Sequence, residues 1–146
     1  MIRNITKITL ALTLLTAVGL QVPTIRAAAS APTAQSGRVF ELRTYTAQPG
    51  KFDAMKARFE KSILALFKKH NLEVVGFWAA ADAPASSNTL IYILAHRSRE
   101  DATKNWAAFM ADPERLKVWA ETEKDGPINL KVESVYMDSL PWSPIK

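Results

Sequence analysis

Glu41 and Arg43 stand two residues apart in the run Phe40-Glu-Leu-Arg-Thr-Tyr45, which closes on an aromatic ring with a polar tip. A guanidinium can grip an anionic group with two parallel hydrogen bonds, and a nearby carboxylate can take a proton from what is held. The same two charges can instead neutralise each other or pair across a two-fold axis. Trp78 and Tyr92 are of the same amphipathic kind as Tyr45, suited to walling a ligand or to filling an interface. His96 is a candidate proton carrier. These residues divide into candidate catalytic groups, His96 and Glu41, and candidate ligand-binding groups, Arg43, Tyr45, Trp78 and Tyr92. His70 follows Lys68 and Lys69 where a helix should end, and an imidazolium there favours the helix dipole; a haem held by one histidine is its competing use.

The elements that must position these side chains follow from periodicity. Residues 39–46 alternate and are rich in β-branched and aromatic types, so they read as a strand, ended by Pro49-Gly50. Phe52, Met55, Phe59, Ile63, Leu66 and Phe67 recur with a helical period over residues 51–69. Residues 72–79 and 89–96 form two further strands, a hairpin with a long loop between them. Ser98 caps a helix, with Asp101 three residues on. That helix carries Ala102, Trp106 and Phe109 and pauses at Asp112-Pro113. Another runs to Thr122 with Leu116 and Trp119 on its apolar side, the helical spacing of a core rather than a cofactor box. Residues 132–140 are a fourth strand, and Pro141-Trp-Ser-Pro144 closes the domain.

Strand, helix, strand, strand, helix, strand is the order of two βαβ halves, which predicts an α+β ferredoxin-like plait, a βαββαβ chain with a four-stranded antiparallel sheet and the helices on one face. Alternation then divides each strand between two faces. Phe40, Leu42, Val75, Phe77, Ile91 and Ile93 are expected toward the helices. Glu41, Arg43, Tyr45, Trp78, Tyr92 and His96 are expected on the open face, with Tyr92 covering Gly76 across the hairpin. With the first and third strands taken as parallel, His96 falls beside Tyr45 and about 13 Å of strand away from Glu41. A face so apolar asks for a cover, and a second copy of the chain supplies one, giving a homodimer closed around an interior.

Composition narrows the function. The chain has 146 residues, no cysteine and two histidines, which excludes disulfides, thiolate metal sites and a three-histidine metal centre within one chain. No cofactor is expected. Arg3 and Lys7 precede an uncharged apolar run over residues 8–20, followed by Ala27-Ala-Ala29, the order of a secretory signal peptide. The expected organisation is a signal peptide over 1–29, a flexible lead over 30–37 and a folded domain over 38–144, with export to the periplasm or medium. Removing 1–29 takes away three basic residues and no acid, leaving 16 basic against 14 acidic and a net charge of +2. Nothing in that balance marks a nucleic-acid or polybasic membrane surface, and no stable membrane span remains after processing. Phosphate-binding loops, dinucleotide fingerprints, serine-hydrolase elbows and zincin motifs are absent from the sequence.

Phe40-Glu-Leu-Arg-Thr-Tyr45 followed by Pro49-Gly-Lys51 resembles the opening of the NIPSNAP family, in the dimeric α/β-barrel superfamily. Gly76-Phe-Trp78, the Asp112-Pro113 break and Pro141-Trp-Ser-Pro144 fall in the matching order. Arg115 departs from the pattern, since family members often carry Trp soon after the Asp-Pro; Trp119 is positioned to take over its packing. The resemblance implies the fold and the dimer, and little chemistry. The wider superfamily includes cofactor-free monooxygenases and haem-binding proteins, but fold alone does not fix function. The expected role is to bind a small-molecule ligand inside the dimeric barrel, with its transformation there as an extension of that role; the alternative is a non-catalytic scaffold for an envelope partner.

Overall fold

The computed structural model describes residues 37–146, so the proposed signal peptide and nearly all of the lead lie outside the described residues. Strand β1 (Val39–Ala47) leads through a turn at Gly50, whose φ of 74° suits a residue without a Cβ, into α1 (Phe52–Arg58). A π-helical turn (Phe59–Ile63) and α2 (Leu64–Lys69) continue it without a break. Then follow β2 (Glu73–Ala79), β3 (Thr89–His96), α3 (Arg99–Ala111), α4 (Pro113–Thr122) and β4 (Asn129–Asp138). The predicted order of elements is present; the π turn is additional, and β4 begins earlier than periodicity indicated. Ser98 caps α3 by accepting from the Asp101 N–H at 3.0 Å, and Asp112 caps α4 by accepting from Glu114 N–H at 2.7 Å.

The four strands form an antiparallel sheet in the order β2-β3-β1-β4. Here the strand direction assumed from sequence is corrected. A right-handed crossover sets β2 parallel to β1 with one strand's width between them. The hairpin then sends β3 back through that gap, antiparallel to both. Val39 therefore pairs with His96 and Tyr45 with Leu90, which carries His96 to the Glu41 end of β1.

The assignment of faces is reversed in β1 and β3 as well, whereas in β2 Phe77 meets the helices and Trp78 the open face as expected. The core between sheet and helices takes Tyr45, Leu90, Tyr92 and Leu94 from the sheet, packed on Met55, Phe59, Ile63, Phe67 and Phe109. Glu41 and His96 are buried, whereas Val75 is 40% exposed. Alternation sorts side chains into two sets without saying which set meets the helices. In β1 the more apolar set, Phe40 and Leu42, lost to one in which aromatic rings and mutually satisfied polar groups pack together. In β2 a bulge between Val74 and Gly76 breaks the alternation, so Val74 and Phe77, three residues apart, both reach the core. Phe77, not Gly76, pairs with Tyr92, and Gly76 is covered by the Trp78 ring: a Cβ at Gly76 would lie 2.8 Å from its Cη2.

Candidate functional site

Glu41 centres a polar knot. One carboxylate oxygen, Oε1, accepts from Arg43 Nη1 at 2.8 Å and Ser134 Oγ at 2.6 Å. The other, Oε2, accepts from Trp106 Nε1 at 2.7 Å and meets His96 Nε2 at 3.0 Å. Indole and guanidinium nitrogens only donate, and with the carboxylate ionised the contact to His96 is a donation from an Nε2 hydrogen. His96 Nδ1 is buried with no partner among the described residues. Burial alone pushes the Glu41 carboxyl up, but hydrogen bonds from His96, Ser134, Trp106 and Arg43 outweigh it and bring the pKa down to about 2. A carboxylate with its acceptor positions occupied and so low a proton affinity is poorly matched to general-base work near neutral pH. The arrangement makes Glu41 a positioning residue that fixes Arg43, Trp106 and His96.

Arg43 carries the knot toward open space. Its Nη2 donates to the Tyr45 hydroxyl at 3.2 Å, its guanidinium carbon lies 4.4 Å from the Trp106 ring centroid, and its buried Nε has no partner. Tyr45 also meets the Tyr92 hydroxyl at 3.3 Å. Beyond them lies a cavity of about 400 Å³ between the β1–β4 side of the sheet and the helices. Its walls are six rings, those of Tyr45, Phe59, Phe67, Trp106, Phe109 and Trp119, with Arg43, Arg115 and Asn129 as polar groups. The π turn contributes Phe59 and Ile63 to this lining, consistent with the frequent placement of such turns at functional sites. Met110, half exposed, stands among the lining residues where they reach the surface.

Of the six residues singled out from sequence, Arg43 and Tyr45 line this cavity. Glu41 and His96 lie behind it, in direct contact with each other, which the sequence argument had placed in doubt. Tyr92 is fully buried beside Tyr45, and burial pushes its phenol well above the usual range. Trp78 lies on the opposite face of the sheet, 49% exposed. A larger pocket of about 680 Å³ near Lys68 and Arg97, as open to solvent as this one, and a groove of about 470 Å³ near Phe40 and Trp142 contain none of the six. Trp106, Arg115, Trp119 and Asn129 were missed as lining residues. The helical spacing of the two tryptophans and the departure at Arg115 were the available signals, and both pointed to packing.

His70 has a structural occupation. Its Nε2 lies 2.6 Å from Asp112 Oδ2, which Lys69 Nζ also meets at 2.8 Å. Asp112 thereby ties the end of α2 to the start of α4 while its other oxygen caps α4. Lys69 and His70 hold its carboxyl well below the usual range.

The fold finds counterparts among known proteins. No curated protein matches the chain. Among solved structures, a NIPSNAP family protein of unknown function from Agrobacterium tumefaciens is 26% identical, with a TM-score of 0.66 over 77% of this chain and 96% of that one. A NIPSNAP-like domain protein from Burkholderia xenovorans is 17% identical, with a TM-score of 0.65 over 75% of this chain and 90% of its own. A putative antibiotic biosynthesis monooxygenase from Nitrosomonas europaea shares the fold at 17% identity and a TM-score of 0.52, over 77% of this chain and 97% of that one. The NIPSNAP family model matches residues 40–144, the whole of the sheet and its helices, and the chain belongs to the NIPSNAP family.

Proposed function

We propose that this NIPSNAP domain binds a small, flat molecule between the sheet and its helices, not in the dimer interior expected from sequence. The carrying observation is the cavity of about 400 Å³ walled by six aromatic rings, a size and lining suited to a small ligand. The Glu41 knot holds Arg43 and Trp106 still, which lowers the cost of ordering them on binding. Tyr45 sets a hydroxyl beside Arg43, so any chemistry on the ligand would start from that pair. The reading retains export, with residues 1–29 as signal peptide. It also retains a second copy of the chain over the open face, where Val75, Trp78 and Val135 are 40%, 49% and 55% exposed.

Native mass spectrometry of the purified protein with 2-naphthoate and with 2-naphthamide tests both parts. The expected species is a dimer binding one probe per chain with a Kd below about 1 mM. A Val132→Trp variant with an unchanged circular dichroism spectrum, its cavity filled, should bind none. Failure of both probes to bind would remove the cavity reading, and a monomer would remove the pairing.

A further inference from the structure

We infer that the ligand of this cavity is an anion, a planar aromatic carboxylate in its simplest form, and that Arg115 is the residue that recognises its charge. The inference rests on the cavity being a binding site and specifies what it takes. Three guanidiniums gather at this end of the domain. Arg43 is neutralised by Glu41 at 2.8 Å and Arg58 by Glu123 at 2.7 Å. Arg115 alone of the three has no salt bridge among the described residues, whereas a buried Nε without a hydrogen-bond partner there is common to all three. A guanidinium does not give up its proton in a protein, so Arg115 presents a full positive charge at the cavity wall, with Glu123 near enough to act on it but bridged to Arg58 instead. Arg115 is part-buried with its Nε out of water, and an anionic ligand would supply the charge-assisted hydrogen bonds it lacks.

The geometry favours a carboxylate over a diffuse anion. The guanidinium carbon of Arg115 lies 4.0 Å from the Trp119 ring centroid, and Arg58 lies 4.3 Å from the same ring. Stacking occupies the flat face of Arg115 and leaves the N–H groups along its edge available. That edge matches the two oxygens of a carboxylate, and stacking holds it in place before the ligand arrives. Phe109 and Trp106 supply flat apolar surface for the rest of the molecule. Arg115 is thus the lining arginine without a salt bridge among the described residues.

Matched probes separate this inference from the reading beneath it. Calorimetric titration of the purified protein should give 2-naphthoate an affinity at least about tenfold above that of the isosteric 2-naphthamide, the contribution of one charge-assisted pair. In Arg115→Gln the carboxylate should lose that advantage while the amide binds as before, and Arg115→Lys should restore part of it. Equal affinities in the unaltered protein, or a preference surviving in Arg115→Gln, would overturn the anion assignment and leave the cavity reading standing. Binding of neither probe would overturn both.

Discussion

Two neighbouring regions on the helix side of the sheet are built from the same residue types and reach opposite ends. Around Glu41, two cationic or polar rings, a guanidinium and a hydroxyl close on one carboxylate until no acceptor is idle. A few residues along β1, arginines and aromatic rings surround empty space, and one of the arginines has no acid to meet. The knot is complete at its carboxylate, although His96 Nδ1 and Arg43 Nε within it are buried without partners among the described residues. At the cavity wall it is the charge of Arg115 that lacks a salt bridge among those residues, and there a ligand has something to complete. Arg43 belongs to both regions, since one of its nitrogens binds Glu41 and its plane lies over Trp106.

The contrast breaks most sharply on substitution. Glu41→Ala leaves four donors facing a void, and the expected loss is about 3–5 kcal/mol in urea unfolding, the range for removing one partner of a buried charged pair. Arg115→Gln, which abandons no carboxylate, should change stability by no more than about 1 kcal/mol, the worth of its stacking on Trp119. Comparable losses from the two would mean that Arg115 is structural after all.

Acid provides the next test. The folded-state pKa of Glu41, about 2, lies below its ordinary 4.5. Its contribution is therefore complete above pH 4.5 and drains away as the pH falls toward 2, amounting to roughly 3 kcal/mol. Urea midpoints measured from pH 7 to pH 2.5 should converge for the unaltered protein and Glu41→Gln as the pH drops. Parallel curves would show that the knot does not hold its carboxylate in the ionised form.

The smallest effect is expected on the open face. Gly76→Ala sets a Cβ 2.8 Å from the Trp78 ring, but that ring is half exposed and free to swing outward. The cost should stay near 1 kcal/mol or below, with a red shift in tryptophan emission reporting the displaced ring. That cost is for the chain with its open face uncovered. Under the proposed second copy Trp78 is held in place and the loss should be several times larger, so a cost that does not change with protein concentration would count against the pairing.

The legible part of this molecule was its list of elements. The run Phe52, Met55, Phe59, Ile63, Leu66 and Phe67 can bury one face only as a helix, and Ser98 and Asp112 announce the helices they cap. The illegible part was orientation. Alternation in β1 separated Glu41, Arg43 and Tyr45 from Phe40 and Leu42, and that grouping holds in the structure. Hydrophobicity then sent the wrong group inward, because the benefit of burying Glu41 depends on Ser134, Trp106 and His96, which lie 55 to 93 residues away. The bulge at Val75 was equally invisible, since it shows only when β2 is paired with β3.

Local sequence determined which strands and helices form and in what order, the family they add up to, and which residues of β1 share a face, because these depend on neighbours within a few residues. Tertiary structure decided which face is inside, that Glu41 meets His96, and that Arg115 and Trp119 come to the cavity beside Arg43. Those outcomes depend on the partners a polar group finds across the fold, and burial of a charge is favourable or prohibitive according to whether they arrive.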